Sequence, residues 1–504
     1  MRRSLIAAVG LGLVTTACGT TVPLTSQQAL GGAADQGVVQ PGAGTVPGSG
    51  TSSSSLSGST GAGAVVGSGP VSAGAASPAA GTSTGTTVVT TGGDVVDYTR
   101  PATGKPVDVG IMYIKDLGAA AAQFGGNGQS TVDQVGYMKA TVAYMNAHGG
   151  LGGHKINLLL YGAEIAGAKS YDQSLAEMCA MMTQDHHAVA AVIANITVTN
   201  NMAQCMQNAK GLYVTDGGYF KSATDWAGLP YMASPNELRA EDLGRTMAEH
   251  MIAKGAAKRG DTVGLLVYDA PGFHAAEKQF LAVAKANGIE VVNYAVHYAS
   301  STPDLANSIA AVQSAVLAMQ SRNAKVVASL SSGGIMGFFL QDAEQQKYYP
   351  RYLISSNDGP VGAPAAAKAG QLKGAMAIGY MPMNDVDLYT HPQAFSTDPT
   401  YNTCRRINGK NPSINNTANL NISQRVCEGL LLVQTAARGY GGSDITGTAL
   451  RDGLRRLGSS ISAGTTYKTL FGPSKLWAPW GYRPMHYDEA KNVFVYDTTA
   501  TLPF

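Results

Sequence analysis

From Lys105 onward, apolar residues return along the chain in two alternating rhythms. Short apolar runs, VDVGIMYI (107–114), KINLLLYG (155–162) and AVAAVIANI (188–196), predict buried strands. Between the first two, STVDQVGYMKATVAYMNAHGG (130–150) carries Val135, Met138, Val142 and Met145 at helical spacing, and Gly149 and Gly150 end it. AKSYDQSLAEMCAMMTQ (168–184) predicts a second helix. A shorter helix near 200–209 leads to the strand GLYVTDGG (211–218). Strand, helix and strand in this order imply a parallel sheet covered on both faces.

The rhythm then restarts. Helices are predicted over 238–255, 274–287, 303–322 and 336–346, and strands over 262–270, 290–300, 325–333 and 351–357. This second unit repeats the plan of the first without repeating its sequence. The fold class expected is α/β, with two doubly wound parallel-sheet lobes facing each other across a cleft. Open sheets of this kind bind ligands at the carboxyl ends of their strands.

The first hundred residues read differently. MRRSLIAAVGLGLVTTA (1–17) has a positive end, an apolar core and small residues before Cys18. That core is shorter than the ~20 residues a spanning helix needs, and reads as a secretory signal. Small residues before a cysteine resemble the lipobox of bacterial lipoproteins, with Thr15 where a leucine is usual. The resemblance implies lipidation at Cys18, a lipid anchor and an extracytoplasmic position on the cell membrane. Residues 18–104 are Gly, Ser, Thr, Ala, Val and Pro with almost no charge, and no aromatic occurs before Tyr98. Such a stretch buries too little apolar surface to offset chain entropy, so a disordered tether is expected, spanning ~50 Å on average.

Charge narrows the function classes. The chain has 504 residues, a net charge of +2, and only 13% charged residues. No basic run with interleaved aromatics occurs, so no nucleic acid partner is expected. GxSxG, P-loop and HExxH patterns are missing from 105–504. Asp185, His186 and His187 form the densest metal-like cluster, at a helix end where cations suit the dipole. Nothing calls for a cofactor, a metal or catalysis.

NAHGGLGGHKINLLLYG (146–162), VYDAPGFHAAEKQF (267–280), LISSNDGP (353–360), FGP (471–473) and NVFVYD (492–497) together resemble the leucine/isoleucine/valine-binding proteins. These are solute receptors of ABC importers with the type 1 periplasmic-binding fold. The resemblance covers about 105–504 and implies three hinge crossings, placed near 230–236, 374–382 and 466–472. Lobe one would then be about 105–231 and 383–466, and lobe two about 232–382 and 467–504. It also implies a ligand-binding set: Asn195, Thr197 and Thr199 in the loop after the third strand, where hydroxyls and helix N–H groups make an anion seat. Thr215 and Asp216 follow the fourth strand, Tyr113 ends the first, Phe273 would form an aromatic wall, and Asp358 or Asn357 would take a ligand ammonium. The expected partners are a small polar solute, an amino acid or similar, and an ABC permease. A sensor of the same fold is the alternative reading, with a secreted α/β hydrolase or a surface adhesin behind it.

Apart from Cys18 the chain has four cysteines, Cys179, Cys205, Cys404 and Cys427. An even number in an exported body suggests two disulfides among three pairings. Cys179 and Cys205 lie on helices flanking the third strand, side by side in a doubly wound order, so Cys179–Cys205 is predicted. Cys404 and Cys427 would then staple an insertion, with Cys427 on a helix over 422–438. Each bridge closes a loop worth roughly 3 kcal/mol in the loop-entropy model.

Overall fold

The computed structural model describes residues 97–116, 132–164, 169–194, 199–216, 220–297, 302–387, 398–458 and 464–504. Cys18 and nearly all of the tether lie outside them. So do Asn195 and Thr197.

Five parallel strands form the first sheet: β1 (Gly104–Ile114), β2 (His154–Ala163), β3 (Ala190–Ala194), β4 (Leu212–Asp216) and β5 (Met232–Ala233), in the order β2-β1-β3-β4-β5. Side chains alternate between its faces, as the pleat requires. Val109, Ile111, Val192 and Val214 point to one core; Met112, Ala191, Ile193 and Tyr213 point to the other. The first core is covered by α1 (Gln134–Ala147) and by helices from far along the chain, α11 (Pro399–Asn408), α12 (Thr417–Tyr440) and α13 (Gly447–Leu457). The second is covered by α2 (Tyr171–Ala180) and α3 (Asn201–Asn208). α1 buries Met138, Val142 and Met145, and turns into β2 through Gly149 and Gly150 at φ 78° and 54°, a left-handed turn that suits glycine.

The second sheet runs β12-β11-β10-β9-β8-β6-β7. Its strands are β6 (Thr262–Tyr268), β7 (Glu290–Val296), β8 (Val326–Leu330), β9 (Arg351–Ser355), β10 (Met376–Gly379), β11 (Gly481–Asp488) and β12 (Val493–Tyr496). β6 to β10 are parallel; β11 and β12 add antiparallel, and β13 (Leu502–Pro503) pairs with β11. Around this sheet lie α5 (Ala240–Ala253), α6 (Pro271–Ala286), α7 (Thr302–Ser321) and α8 (Gly333–Gln345). The expected α/β class with two doubly wound lobes is what the chain forms, with an antiparallel extension on lobe two.

The chain passes between the lobes three times: after β5, after β10 and after α13. The crossings are tied to one another. Ser234 donates its N–H to the Leu476 carbonyl at 2.9 Å and accepts from the Ala478 N–H at 2.9 Å, joining the first to the third. Tyr467 Oη donates to Asp385 Oδ2 at 3.0 Å, joining the third to the second.

Both predicted bridges are present. Cys179–Cys205 links α2 to α3 with Cα atoms 6.0 Å apart, and Cys404–Cys427 links α11 to α12 with Cα atoms 5.8 Å apart. Several elements extend past the sequence pattern. α2 continues into a five-residue π turn, Met181–Asp185, whose Met182 is fully buried. A short helix α4 (Ala223–Gly228) precedes β5, built on a capping box between Ser222 and Asp225 rather than on apolar periodicity. α12 begins at Thr417, five residues before the predicted helix, because Asn416 caps it by accepting from the Asn419 N–H. Packing also begins before residue 104: Arg438 stacks over the Tyr98 ring at 4.5 Å, and the Ala102 N–H donates to the Asn146 carbonyl at 2.8 Å.

Candidate functional site

The carboxyl ends of the strands in both sheets open on one cavity of about 390 Å³. From lobe one, α2 presents Tyr171 and Asp172, and the segment leading into α3 presents Thr199 and Asn200. Phe220, Lys221 and Asp225 come from the segment after β4. From lobe two come Asp269, Ala270, Pro271 and Gly272, at the turn from β6 into α6, and His297, just past β7.

Phe220 decides how the two lobes meet here. It crosses from the lobe-one segment into the lobe-two core and packs on Phe273, ring centroids 4.7 Å apart. The lobe-two backbone comes very close behind it. A Cβ on Gly272 would lie 1.8 Å from the Phe220 carbonyl oxygen, so only glycine fits at this contact. The Ala240 N–H donates to the Lys221 carbonyl at 2.9 Å, pinning the same segment to the start of α5.

Lys221 is 2% exposed and donates from Nζ to the Thr199 carbonyl at 3.4 Å. Burial lowers the pKa of its ammonium, opposed by the carboxylates of Glu237 and Asp225. Asp225 is heavily engaged: it accepts from the Ser222 N–H at 2.8 Å, from Ser222 Oγ at 2.7 Å and from Asn200 Nδ2 at 2.6 Å. At the cavity mouth, His274 contacts Glu277 at 2.7 Å and Asp269 at 2.9 Å. The Glu277 bond, chiefly, raises the imidazole pKa, and Asp269 adds to it against partial burial.

The residues expected at the site divide. Thr199 lines the cavity, its Oγ1 3.5 Å from Asp172 Oδ1. Asp216 is the last residue of β4, opposite Ala194. Thr215 is fully buried behind the cavity and donates to Glu237 Oε1 at 2.7 Å. Three others do not line it. Tyr113 is half-buried against the core under α1 and α12. Phe273 lies in the first turn of α6, three residues earlier in the helix than the pattern suggests, and is covered by Phe220 and Tyr268. Asp358 is buried at the end of β9. Its carboxylate accepts from Ser329 Oγ at 2.5 Å, from the Ser355 N–H at 2.8 Å and from Ser355 Oγ at 3.1 Å. Burial pushes its pKa up to about 6. Asn357, its competitor for the ammonium, accepts from Tyr380 Oη at 3.4 Å.

Sequence reasoning passed over Phe220, Lys221 and Asp225. The available signal was the S-x-x-D capping box at 222–225, which starts a new element right after a strand.

A family model for periplasmic binding proteins matches residues 116–483. The chain belongs to this family. The folded body of this periplasmic binding protein is also similar to several solved structures. One is a branched chain amino acid ABC transporter from Thermus thermophilus with bound valine: TM-score 0.59, 13% identity, covering 80% of this chain and 97% of that one. Another is a fatty acid ABC transporter substrate-binding protein from Thermomonospora curvata: TM-score 0.55, 13% identity, covering 81% and 95%. A third is a solute binding protein of an ABC transporter from Rhodopseudomonas palustris BisB5, in complex with 3,4-dihydroxy benzoic acid: TM-score 0.56, 11% identity, covering 79% and 97%. At such identities the likeness is one of fold. No curated protein matches the sequence. Among the described residues, no group of three or more His, Cys, Asp or Glu is placed to hold a metal ion, and no helix is long and apolar enough to cross a membrane.

Proposed function

We propose that this chain is an extracytoplasmic solute-binding lipoprotein. It captures a small polar solute, an amino acid or a related acid, between its lobes and delivers it to an ABC permease. The observation that carries this reading is the 390 Å³ cavity lined from both lobes at the carboxyl ends of their strands. Only a two-lobed receptor needs a site completed by both halves. Opening and closing would turn on the three tied crossings, a hinge motion. The structural relatives carry valine, a fatty acid role or a dihydroxybenzoic acid, and each of these solutes has a carboxylate.

Thermal shift of the full-length chain against amino acids, carboxylic acids, amides and sugars tests the reading. A true ligand at 100 times its dissociation constant adds ~2.7 kcal/mol to stability. A flat response across the whole panel would defeat solute capture. The anchor is tested separately: Cys18→Ala should release the protein from membranes into the medium, and continued membrane retention would refute lipidation there.

A further inference from the structure

The charges around the cavity are unequally committed. Asp225 is held by Ser222 and Asn200, and Asp269 by His274. Asp172 sits in the first turn of α2, where the positive end of the helix offsets it. The positive features are of a different kind. Lys221 brings a buried ammonium to the wall. Two helices also start at the cavity without a side-chain cap: α3, behind Asn200, and the sixteen-residue α6, behind Ala270. Their N-terminal N–H groups and dipoles favour an anion. The acid expected to hold an ammonium, Asp358, is instead closed in by Ser329 and Ser355. The rest of the wall includes Tyr171, Phe220, Ala270 and Pro271, which are aromatic or aliphatic.

We infer that the cavity selects a monocarboxylate that lacks an α-ammonium group. Its carboxylate lies between Lys221 Nζ and the uncapped N-termini of α3 and α6, and its apolar body lies against Phe220 and Tyr171. The inference rests on the reading of this cleft as the solute site. One lysine among three carboxylates suits a single negative charge and disfavours a dianionic phosphate.

The experiment is calorimetric titration of the full-length chain with matched probes that differ only in the head group. These are 3-phenylpropionate, phenylalanine, 3-phenylpropionamide and phenethylamine, with 4-methylpentanoate and leucine as an aliphatic pair. The acids should bind, with the amino acids about tenfold or more weaker. Amino acids binding more tightly than their matched acids would overturn the monocarboxylate inference and leave solute capture standing. No binding by any probe, with a flat thermal-shift panel, would overturn both. Lys221→Met should weaken acid binding about 100-fold while amide binding stays put, since a charge-assisted contact is lost. A folded Lys221→Met protein with unchanged acid affinity would overturn the anchor. If that variant does not fold, Asp172→Asn decides: removing a nearby negative charge should tighten acid binding several-fold, and weaker acid binding would count against the inference.

Discussion

Lobe one carries both cystine bridges, one on each face of its five-stranded sheet, while lobe two contains no cysteine at all. The cores differ in the same sense. Under α2 and α3, lobe one packs Met112, Met178, Met182, Met202, Met206 and Met232. Lobe two fills its core with Val, Leu, Ile and four large aromatics, Phe273, Phe280, Phe339 and Tyr352. Methionine is unbranched and adapts its shape, so a core rich in it fixes neighbouring helices less firmly than branched residues do. A bridge between α2 and α3 restores that fixity where the packing supplies least. Lobe two, with its longer sheet path and an antiparallel edge, holds itself by area alone.

Reducing both bridges tests this contrast most severely. Each closes a short loop worth roughly 3 kcal/mol, so lobe one should lose about 6 kcal/mol relative to lobe two. Calorimetry with reductant should then resolve a low-temperature transition for lobe one and a later one for lobe two. A single unshifted transition would show that the bridges do not distinguish the lobes. Next in size is Phe220→Ala, which removes the aromatic that lobe one inserts into lobe two. A buried Phe→Ala change costs about 3 kcal/mol, and denaturant midpoints should fall accordingly. Because this residue belongs to both halves, its loss should lower the two transitions together. A shift confined to one lobe would mean that the contact does not couple them.

A smaller effect comes from pH, through one buried carboxyl in each part. Glu428 of lobe one accepts from Gln424 Nε2 at 2.8 Å and from the Thr465 N–H at 2.8 Å, and burial pushes its pKa up to about 8. Asp385, between β10 and α11, accepts from Ser356 Oγ at 2.7 Å, and burial pushes its pKa up to about 8 as well. Both folded-state values lie above the unfolded ones near 4, so the folded form holds the extra proton. Stability is therefore full at about pH 4 and declines as pH rises toward 8, at about 1.4 kcal/mol per pH unit for each group. Glu428→Gln should flatten the decline for lobe one, and Asp385→Asn for lobe two, in urea titrations at pH 5 and 8. Smallest of all, Arg322→Ala breaks an exposed pair with Glu290 at 2.6 Å and should move lobe-two stability by no more than ~0.5 kcal/mol.

The comparison of lobes also shows what the sequence could reveal. Both sheets were legible because β1, β3, β6 and β8 are runs of Val, Ile and Leu bounded by helical patterns. The bridge between Cys179 and Cys205 followed from placing their helices side by side. α4 escaped because six residues leave too little periodicity, and α12 began early because a polar NNTANLN stretch carries its start. At the site, Thr199 was found because hydroxyls after a parallel strand mark a helix start. Phe273 and Asp358 were misplaced for a physical reason. A sequence shows that an aromatic or an acid lies at a strand end, but not that another lobe's Phe220 covers it or that two serine hydroxyls enclose it. Lys221 was missed for the converse reason: a buried lysine reads like a surface one until its surroundings are known.

Neither lobe is a contiguous stretch of polypeptide. Lobe one needs α12, whose residues are some two hundred positions beyond the strands they cover, and lobe two takes two of its sheet-path strands from the last twenty-four residues. A nascent or newly exported chain therefore cannot complete either half until its tail has emerged, and long-range closure of this kind is slow. Shortening the carboxyl terminus by a single strand would leave an open sheet edge in one half. It would also leave the partner half without its proper stop.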